Sequence, residues 1–418
     1  MPKSTDSLAR RAMFRVLDGI RDGRLELVEP AATRSFGQTR IESPLTSRVE
    51  VHHPHFYTSF FRGSLGLAES YIDGEWDTDD LTAFVRVGAR NMPALDRARG
   101  FYRLAEKPVR TIGALLHDEH LHKRKTARHY NLGNDLYERM LDETMAYSSA
   151  IFTSPDDTLE AAQTEKFDRV CRNLQLTPRD HLIEIGSGWG GFAIHAATKY
   201  GCRVTSATIA GEQTKLARQR IREAGLEHRV EIVERDFAKL EGTYDKLVSI
   251  EMIETIGWRR FDEFFRVCNR LLKPDGRMCH QIITIDDRAY EAEKMSRSFA
   301  NTLIFPGGSL PSNEFISKAI ARETEMQLLD FEDITAHYPE TLRRWRANFN
   351  ESFEELRARG YDERFHRLWN LYLAYCEAGF VERRILVGQA TYAKPTHRDT
   401  WDSFATAGES GNDVRSSV

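Results

Sequence analysis

From Leu174 onward, short apolar runs alternate with longer amphipathic stretches. His181-Leu-Ile-Glu-Ile185, Arg203-Val-Thr-Ser-Ala-Thr-Ile209, Val230-Glu-Ile-Val233, Lys246-Leu-Val-Ser-Ile250 and Met278 to Ile285 read as strands. Phe192 to Tyr200, Glu212 to Ala224 and Phe261 to Leu272 read as helices. Strand and helix in alternation predict an α/β fold with a doubly wound, mostly parallel sheet.

The chain before residue 93 has a different texture. Arg15 to Ile20 reads as helix and Val49-Glu-Val-His52 alternates like a strand. Gly63 to Trp76 sets turns around a short helix, and Asp80 caps a helix through Arg86. These signals predict a smaller α+β unit over residues 1–92. Residues 93–125 form a basic linker, 126–395 the alternating domain, and 396–418 a polar tail expected to be disordered.

Bulk properties narrow the function. At 418 residues the chain exceeds one ordinary core, in keeping with two units. A net charge of -4 argues against nucleic acid as the partner of the whole chain. Between Asn91 and Tyr130, however, nine Lys and Arg face four Asp and Glu, a balance of +5. Leu95, Phe101, Tyr102, Leu104, Ile112, Leu115 and Leu116 are interleaved. A solvated helix is one reading; a surface for anionic lipid headgroups is the other. Cys171, Cys202, Cys268, Cys279 and Cys376 show no paired or metal-ligand spacing, which predicts a reduced cytoplasmic protein without metal. No window approaches about 18 apolar residues, so membrane contact is expected to be peripheral.

The sharpest motif is Glu184-Ile-Gly-Ser-Gly-Trp-Gly-Gly191, directly after the first strand of the alternating region. Glycines there let backbone N–H groups and a helix N-terminus approach a ligand. No Lys-Ser/Thr follows, so it is not a phosphate-binding P-loop. A nicotinamide dinucleotide wants an acid at the tip of the second strand, which ends Ser206-Ala-Thr-Ile-Ala210 without one. Asp236 and Phe237 follow the third strand instead, an acid for an exocyclic amine and a ring for stacking. That layout favours S-adenosylmethionine.

With these motifs in view, the chain resembles the cyclopropane-fatty-acid synthase family of S-adenosylmethionine-dependent enzymes. The resemblance covers about residues 120 to 395. It rests on Arg128-His-Tyr-Asn-Leu-Gly-Asn-Asp-Leu136, Met145-Ala-Tyr-Ser-Ser-Ala-Ile-Phe152 and the glycine loop. Thr208-Ile-Ala-Gly-Glu-Gln213, Ile304-Phe-Pro-Gly-Gly-Ser-Leu-Pro311, His337-Tyr-Pro-Glu-Thr-Leu-Arg-Arg-Trp345 and Tyr372-Leu-Ala-Tyr-Cys-Glu-Ala-Gly-Phe380 carry the rest. It implies a Rossmann-like class I methyltransferase domain behind a small N-terminal domain of the phospholipid-acting kind. Tyr147 and Ser148 would close over the donor. Gly186, Ser187, Gly188 and Trp189 would meet its methionine part, Thr208, Ile209 and Gln213 its ribose, and Asp236 with Phe237 its adenine.

The family also holds a bicarbonate ion, whose ligands fall here on Ser149, Glu254, Gln281, Ile283 and Tyr338. Ser149 stands where the family has cysteine, and Gln281 where it has histidine. His280 is adjacent, but one step along a strand turns a side chain to the opposite face. Thr255 replaces a frequent histidine. Glu251 stands where the family has a small residue; a polar wall and a catalytic role both stay open. Phe305, Tyr338, Trp345, Tyr372 and Phe380 are candidates for an apolar, aromatic wall, while His129 and Tyr130 are expected to shape a lid. Cys376 is expected to be a buried small hydrophobe.

The activity implied is methyl transfer to the double bond of unsaturated acyl chains of membrane phospholipids, with a cyclopropane as product. A methyl- or methylene-branched chain without ring closure is the first alternative, and a non-catalytic lipid- and donor-binding protein the second. The expected setting is the inner face of the membrane, with a homodimer left open.

Overall fold

The computed structural model describes residues 4–41, 44–92 and 133–398. The basic stretch 93–125, His129, Tyr130 and the tail beyond residue 398 lie outside the described residues.

Residues 4–92 build α1 (Ser4–Leu17), β1 (Gly23–Glu29), β2 (Ala32–Gln38), β3 (Thr46–Val51), α2 (His55–Ser59), α3 (Gly63–Ile72), β4 (Trp76–Thr78) and α4 (Leu81–Arg90). The sheet order is β2-β1-β3-β4. Asp80 caps α4 as expected, its carboxylate accepting from Ala83 N at 3.0 Å. The first helix lies earlier than Arg15 to Ile20: it ends at Leu17, where Gly19 N turns back to the Val16 carbonyl at 3.0 Å. Three strands escaped the sequence reading, β1, β2 and the three-residue β4. β1 alternates Leu25 and Leu27 inward, but β2 is an edge that buries little beyond Phe36, so its pattern carries no period.

Residues 133–398 begin with α5 (Asn134–Met140) and α6 (Leu159–Leu174). Then follow β5 (His181–Ile185), α7 (Gly191–Tyr200), β6 (Arg203–Thr208), α8 (Gly211–Glu223), β7 (Val230–Glu234), β8 (Tyr244–Ile250), α9 (Phe261–Leu271) and β9 (Leu272–Ile285). The alternation expected from the sequence is therefore present. α10 (Asp287–Glu293), α11 (Asn313–Glu323), β10 (Gln327–Asp333), α12 (Tyr338–Glu351), α13 (Phe353–Ala358), α14 (Glu363–Val381) and β11 (Ile385–Ala393) complete it.

The seven-stranded sheet runs β10-β11-β9-β8-β5-β6-β7, with β11 antiparallel to both of its neighbours. Chain order reverses between β5 and β8, so a crevice opens beyond their C-terminal ends. α9 shows how one face is covered. Phe261, Phe264, Phe265, Cys268 and Leu271 recur at helical spacing and are all fully buried against the sheet. His280 of β9 sits under this helix, with ring centroids 5.4 Å from Phe264 and 6.0 Å from Phe265. It faces away from Gln281, as strand alternation requires.

The two units meet along α4 and α14. Thr82 donates to Glu377 Oε2 at 2.9 Å, and Arg346 bridges both, 2.9 Å from the Thr82 hydroxyl and 2.9 Å from Glu377. Arg86 and Arg90 share Glu382 at 2.7 and 2.9 Å. Arg367 caps the Tyr71 ring at 4.0 Å and donates to the Trp76 carbonyl at 2.9 Å.

Candidate active site

The loop after β5 turns through Gly186, Gly188 and Gly190, all with left-handed φ of 104°, 47° and 83°. A Cβ on Gly186 would lie 2.9 Å from the Met252 side chain, so only glycine leaves this approach open. A Cβ on Gly191 would lie 2.2 Å from the Thr144 carbonyl oxygen, so the start of α7 fits under the Thr144 loop only as glycine.

All of the residues assigned to the donor line one cleft of about 140 Å³ at this loop. Tyr147 and Ser148 form one side. Ser148 Oγ accepts from the buried Lys166 ammonium at 2.6 Å, and its carbonyl from Gln163 at 2.9 Å. Trp189 is anchored by Asn134 at 2.9 Å, and Thr208 donates to Gln213 at 3.2 Å. Ile209 is partly exposed beside them. Asp236 and Phe237 close the far end. Arg260 engages Asp236 at 2.8 and 3.2 Å and covers the Phe237 ring at 4.2 Å, so an adenine there shares both groups with it. Backbone donors at a helix start, a β-strand tip bearing a polar pair and an acid beside a ring fit S-adenosylmethionine.

A second, larger cavity of about 1370 Å³ runs from Met13, Leu27 and Trp76 of the first unit to Glu254, Ile283, Tyr338 and Phe380 of the second. Phe305, Tyr338, Tyr372 and Phe380 line it as expected. Trp345 does not; it stands behind, 5.2 Å from Tyr147 and 6.1 Å from Tyr338 by ring centroids. Cys376 lines the cavity and is only half-buried, where full burial was expected. Tyr147, Glu251 and Thr255 line both cavities, so the two meet there. The Tyr147 and Tyr372 hydroxyls lie 2.8 Å apart at this junction.

The groups assigned to bicarbonate do come together, but around a side chain. Ser149 N donates to Glu251 Oε1 at 2.9 Å, Gln281 Nε2 to the same oxygen at 2.7 Å, and the Tyr338 hydroxyl to Oε2 at 2.6 Å. Ile283 N donates to Glu254 Oε1 at 2.6 Å. The Ser149 hydroxyl turns away to the Ala150 carbonyl. Ser149 and Gln281 are fully buried and reach neither cavity surface. These residues do not fit a bound bicarbonate: each assigned donor is engaged, and the carboxyls of Glu251 and Glu254 already occupy the place.

Electrostatics separate the two glutamates. Burial pushes the Glu254 carboxyl up to about 8, with Glu251 adding to the shift. Among the described residues, its buried Oε2 has no hydrogen-bond partner. Burial also raises Glu251, but Tyr338, Gln281, Ser149 and the nearby Lys166 oppose the rise. Lys166 itself is lowered to about 8 by burial, and Glu184 at the tip of β5 is raised to about 8. Ser206 donates to that carboxyl. Glu251 is also held at φ 47°, a left-handed conformation that costs a non-glycine residue about 1–3 kcal/mol.

Sequence reasoning missed Lys166, Glu184 and Arg260, which look like ordinary helix and strand positions. Glu251 had one signal, a glutamate where the resembled family has a small residue. Among the described residues, no cluster could hold a metal ion, and no helix is long and apolar enough to cross a membrane.

A sheet with one reversed strand, a glycine loop at its switch point and an acid after the third strand define a class I S-adenosylmethionine-dependent methyltransferase. Residues 117–390 match the family described as mycolic acid cyclopropane synthetase. The chain is 38% identical over 325 residues to the tuberculostearic acid methyltransferase UfaA1 of Mycobacterium tuberculosis, covering 76% of each. It is 34% identical over 354 residues to the cyclopropane-fatty-acyl-phospholipid synthase of Escherichia coli K12, covering 83% of this chain and 87% of that one. The crystal structure of mycolic acid cyclopropane synthase CmaA1 complexed with SAH and CTAB superposes with a TM-score of 0.61 at 28% identity, over 65% of this chain and 98% of that one. The chain belongs to the mycolic acid cyclopropane synthetase family.

Proposed function

We propose that this enzyme methylates the double bond of unsaturated acyl chains in membrane phospholipids. The observation that carries the reading is the junction at Tyr147, Glu251 and Thr255, where the cleft at the glycine loop meets a much larger, mostly apolar cavity. When bound, S-adenosylmethionine supplies an electrophilic methyl group. The chain's own residues supply the rest. An isolated alkene is a weak nucleophile, so holding it against the cleft is most of the catalysis. Phe305, Tyr338, Tyr372 and Phe380 give the cavity an aromatic lining, which favours positive charge developing on the acyl chain and keeps water out.

Ring closure to a cyclopropane is the first reading of the product, supported by the Escherichia coli relative. A methyl- or methylene-branched chain is the second, favoured by the tuberculostearic acid methyltransferase relative and by Gln281 and Ser149 at the altered centre. The test is transfer of a labelled methyl group from S-adenosylmethionine to vesicles of unsaturated or saturated phospholipid. Label is expected only in the unsaturated acyl chains; label in neither, or in the headgroup, overturns the reading. Both products gain one carbon, and mild hydrogenation separates them by mass, since the branched alkene takes up hydrogen and the ring does not.

Peripheral membrane contact belongs to the same proposal. Lys123, Arg124 and Lys125, outside the described residues, give the linker its densest charge. Reversing the three to glutamate is expected to weaken binding to anionic vesicles, most at low salt. Equal binding at every salt concentration rejects the headgroup contact.

A further inference from the structure

The carboxylate of Glu251 sits where the resemblance leads one to expect a bound anion, and it has taken that anion's hydrogen bonds. Ser149 N, Gln281 Nε2 and the Tyr338 hydroxyl converge on it from positions far apart in the chain. The arrangement is braced from behind. Gln389 Nε2 donates to Gln281 Oε1 at 3.0 Å, which fixes the Gln281 amide with its N–H groups toward Glu251. Glu251 N donates to the Gln281 carbonyl at 2.9 Å and ties the residue to β9. A glutamate kept in a left-handed conformation, half-buried and triply hydrogen-bonded is over-determined by its surroundings. Its side chain borders both the donor cleft and the acyl cavity.

We propose that Glu251 is the proton acceptor of the reaction, a built-in carboxylate that replaces the bicarbonate expected from the family. The proposal rests on the acyl-methylation reading above. In the first step the alkene electron pair forms the new C–C bond as the methyl–sulfur bond breaks, leaving a cation on the acyl chain. In the second, a C–H bond of the new methyl group breaks. Its electron pair closes the ring or, after a hydride shift along the chain, forms a methylene double bond. The proton passes to Glu251. No oxidant or reductant enters either route.

Glu254 is the poorer candidate. It receives one hydrogen bond where Glu251 receives three, and it borders only the acyl cavity. Two carboxyls whose surroundings differ in this way divide into a proton carrier and an ionised base. A further anion is disfavoured beside them by repulsion from the Glu251 carboxylate, which already holds the three donors.

The experiment uses the full chain, methyl-labelled S-adenosylmethionine and vesicles of unsaturated phospholipid. Transfer is measured in buffer stripped of carbon dioxide and in the same buffer with bicarbonate added. The wild-type rate is expected to be equal in both. Glu251→Gln is expected to lose at least about 100-fold in turnover, the scale of a lost general base, with donor affinity by calorimetry retained. Glu251→Gly relieves the left-handed backbone and frees the three donors; its activity is expected to be absent in stripped buffer and restored by bicarbonate. A wild-type rate that collapses without bicarbonate overturns the proposal, as does full turnover by Glu251→Gln. Should neither variant fold, the wild-type comparison decides alone. No label transfer by the wild type in either buffer is a different result: it removes the acyl-methylation reading itself, and the proposal with it.

Discussion

The donor cleft and the acyl cavity share three residues, yet they are assembled in opposite ways. The cleft is made by loops that follow successive parallel strands, and its lining spans Met145 to Arg260. Each piece is a short motif whose chemistry is local: a glycine turn, a polar pair, an acid before an aromatic ring. The cavity draws on residues from Met13 to Ile385 and needs both sheets to exist. Its chemistry appears only when distant segments converge. A methyl donor of fixed structure suits the first kind of construction, and a variable lipid the second.

The strongest way to break the comparison is to damage the cleft alone. Gly191→Val drives a side chain into the Thr144 carbonyl, which is 2.2 Å from an added Cβ. The loss is expected to be about 3 kcal/mol or more, seen in thermal unfolding, with donor affinity abolished. Next comes a change confined to the cavity. Glu254→Gln is expected to lower kcat roughly 100-fold while leaving donor affinity by calorimetry unchanged. Unchanged turnover would remove Glu254 from the chemistry.

A pH measurement sharpens the contrast, because each side carries one buried acid. Glu184 at the cleft and Glu254 at the cavity are both raised to about 8 from an ordinary 4.5. Between those values the folded chain holds protons that the unfolded chain has lost. Stability is therefore expected to fall as pH rises from about 4.5 to about 8, by up to about 1.4 kcal/mol per pH unit for each group. Lys166, lowered to about 8 by burial, acts in reverse above that pH, where only the unfolded chain stays protonated. Urea denaturation across the neutral range should show a shallower slope in both Glu184→Gln and Glu254→Gln, while only the second is expected to lose turnover through the chemical step. The smallest effect is expected from Gln389→Leu, which removes the donor to Gln281 Oε1. A drop in kcat of a few-fold, with KM for the donor unchanged, is the expected reading. The cost of the orphaned amide, about 1–3 kcal/mol, appears in stability.

Legibility in the sequence followed the same divide. β5 to β9 and their helices were readable because strand and helix periods alternate cleanly from His181 to Ile285. β10 was not, since it is an edge strand that leaves Leu328, Leu329 and Phe331 exposed and so shows no inward period. β11 was hidden for the opposite reason, being covered on both faces from Val387 to Ala393. The donor residues could be assigned from motifs. The carboxylate centre could not, because Ser149, Gln281 and Tyr338 become ligands of Glu251 only through pairings of β8 with β9 and the packing of α12. Of the two exchanges, glutamine for histidine gives the added acid a side-chain partner, whereas Ser149 meets it through its backbone N–H alone.

The seam where Thr82 meets Glu377 and Arg346 gives the molecule a division of labour. Met13, Leu27 and Trp76 belong to one wall of the cavity and Tyr338 and Phe380 to the opposite one. Residues 4–92 therefore shape the cavity without touching the cleft, whose lining lies entirely between Met145 and Arg260.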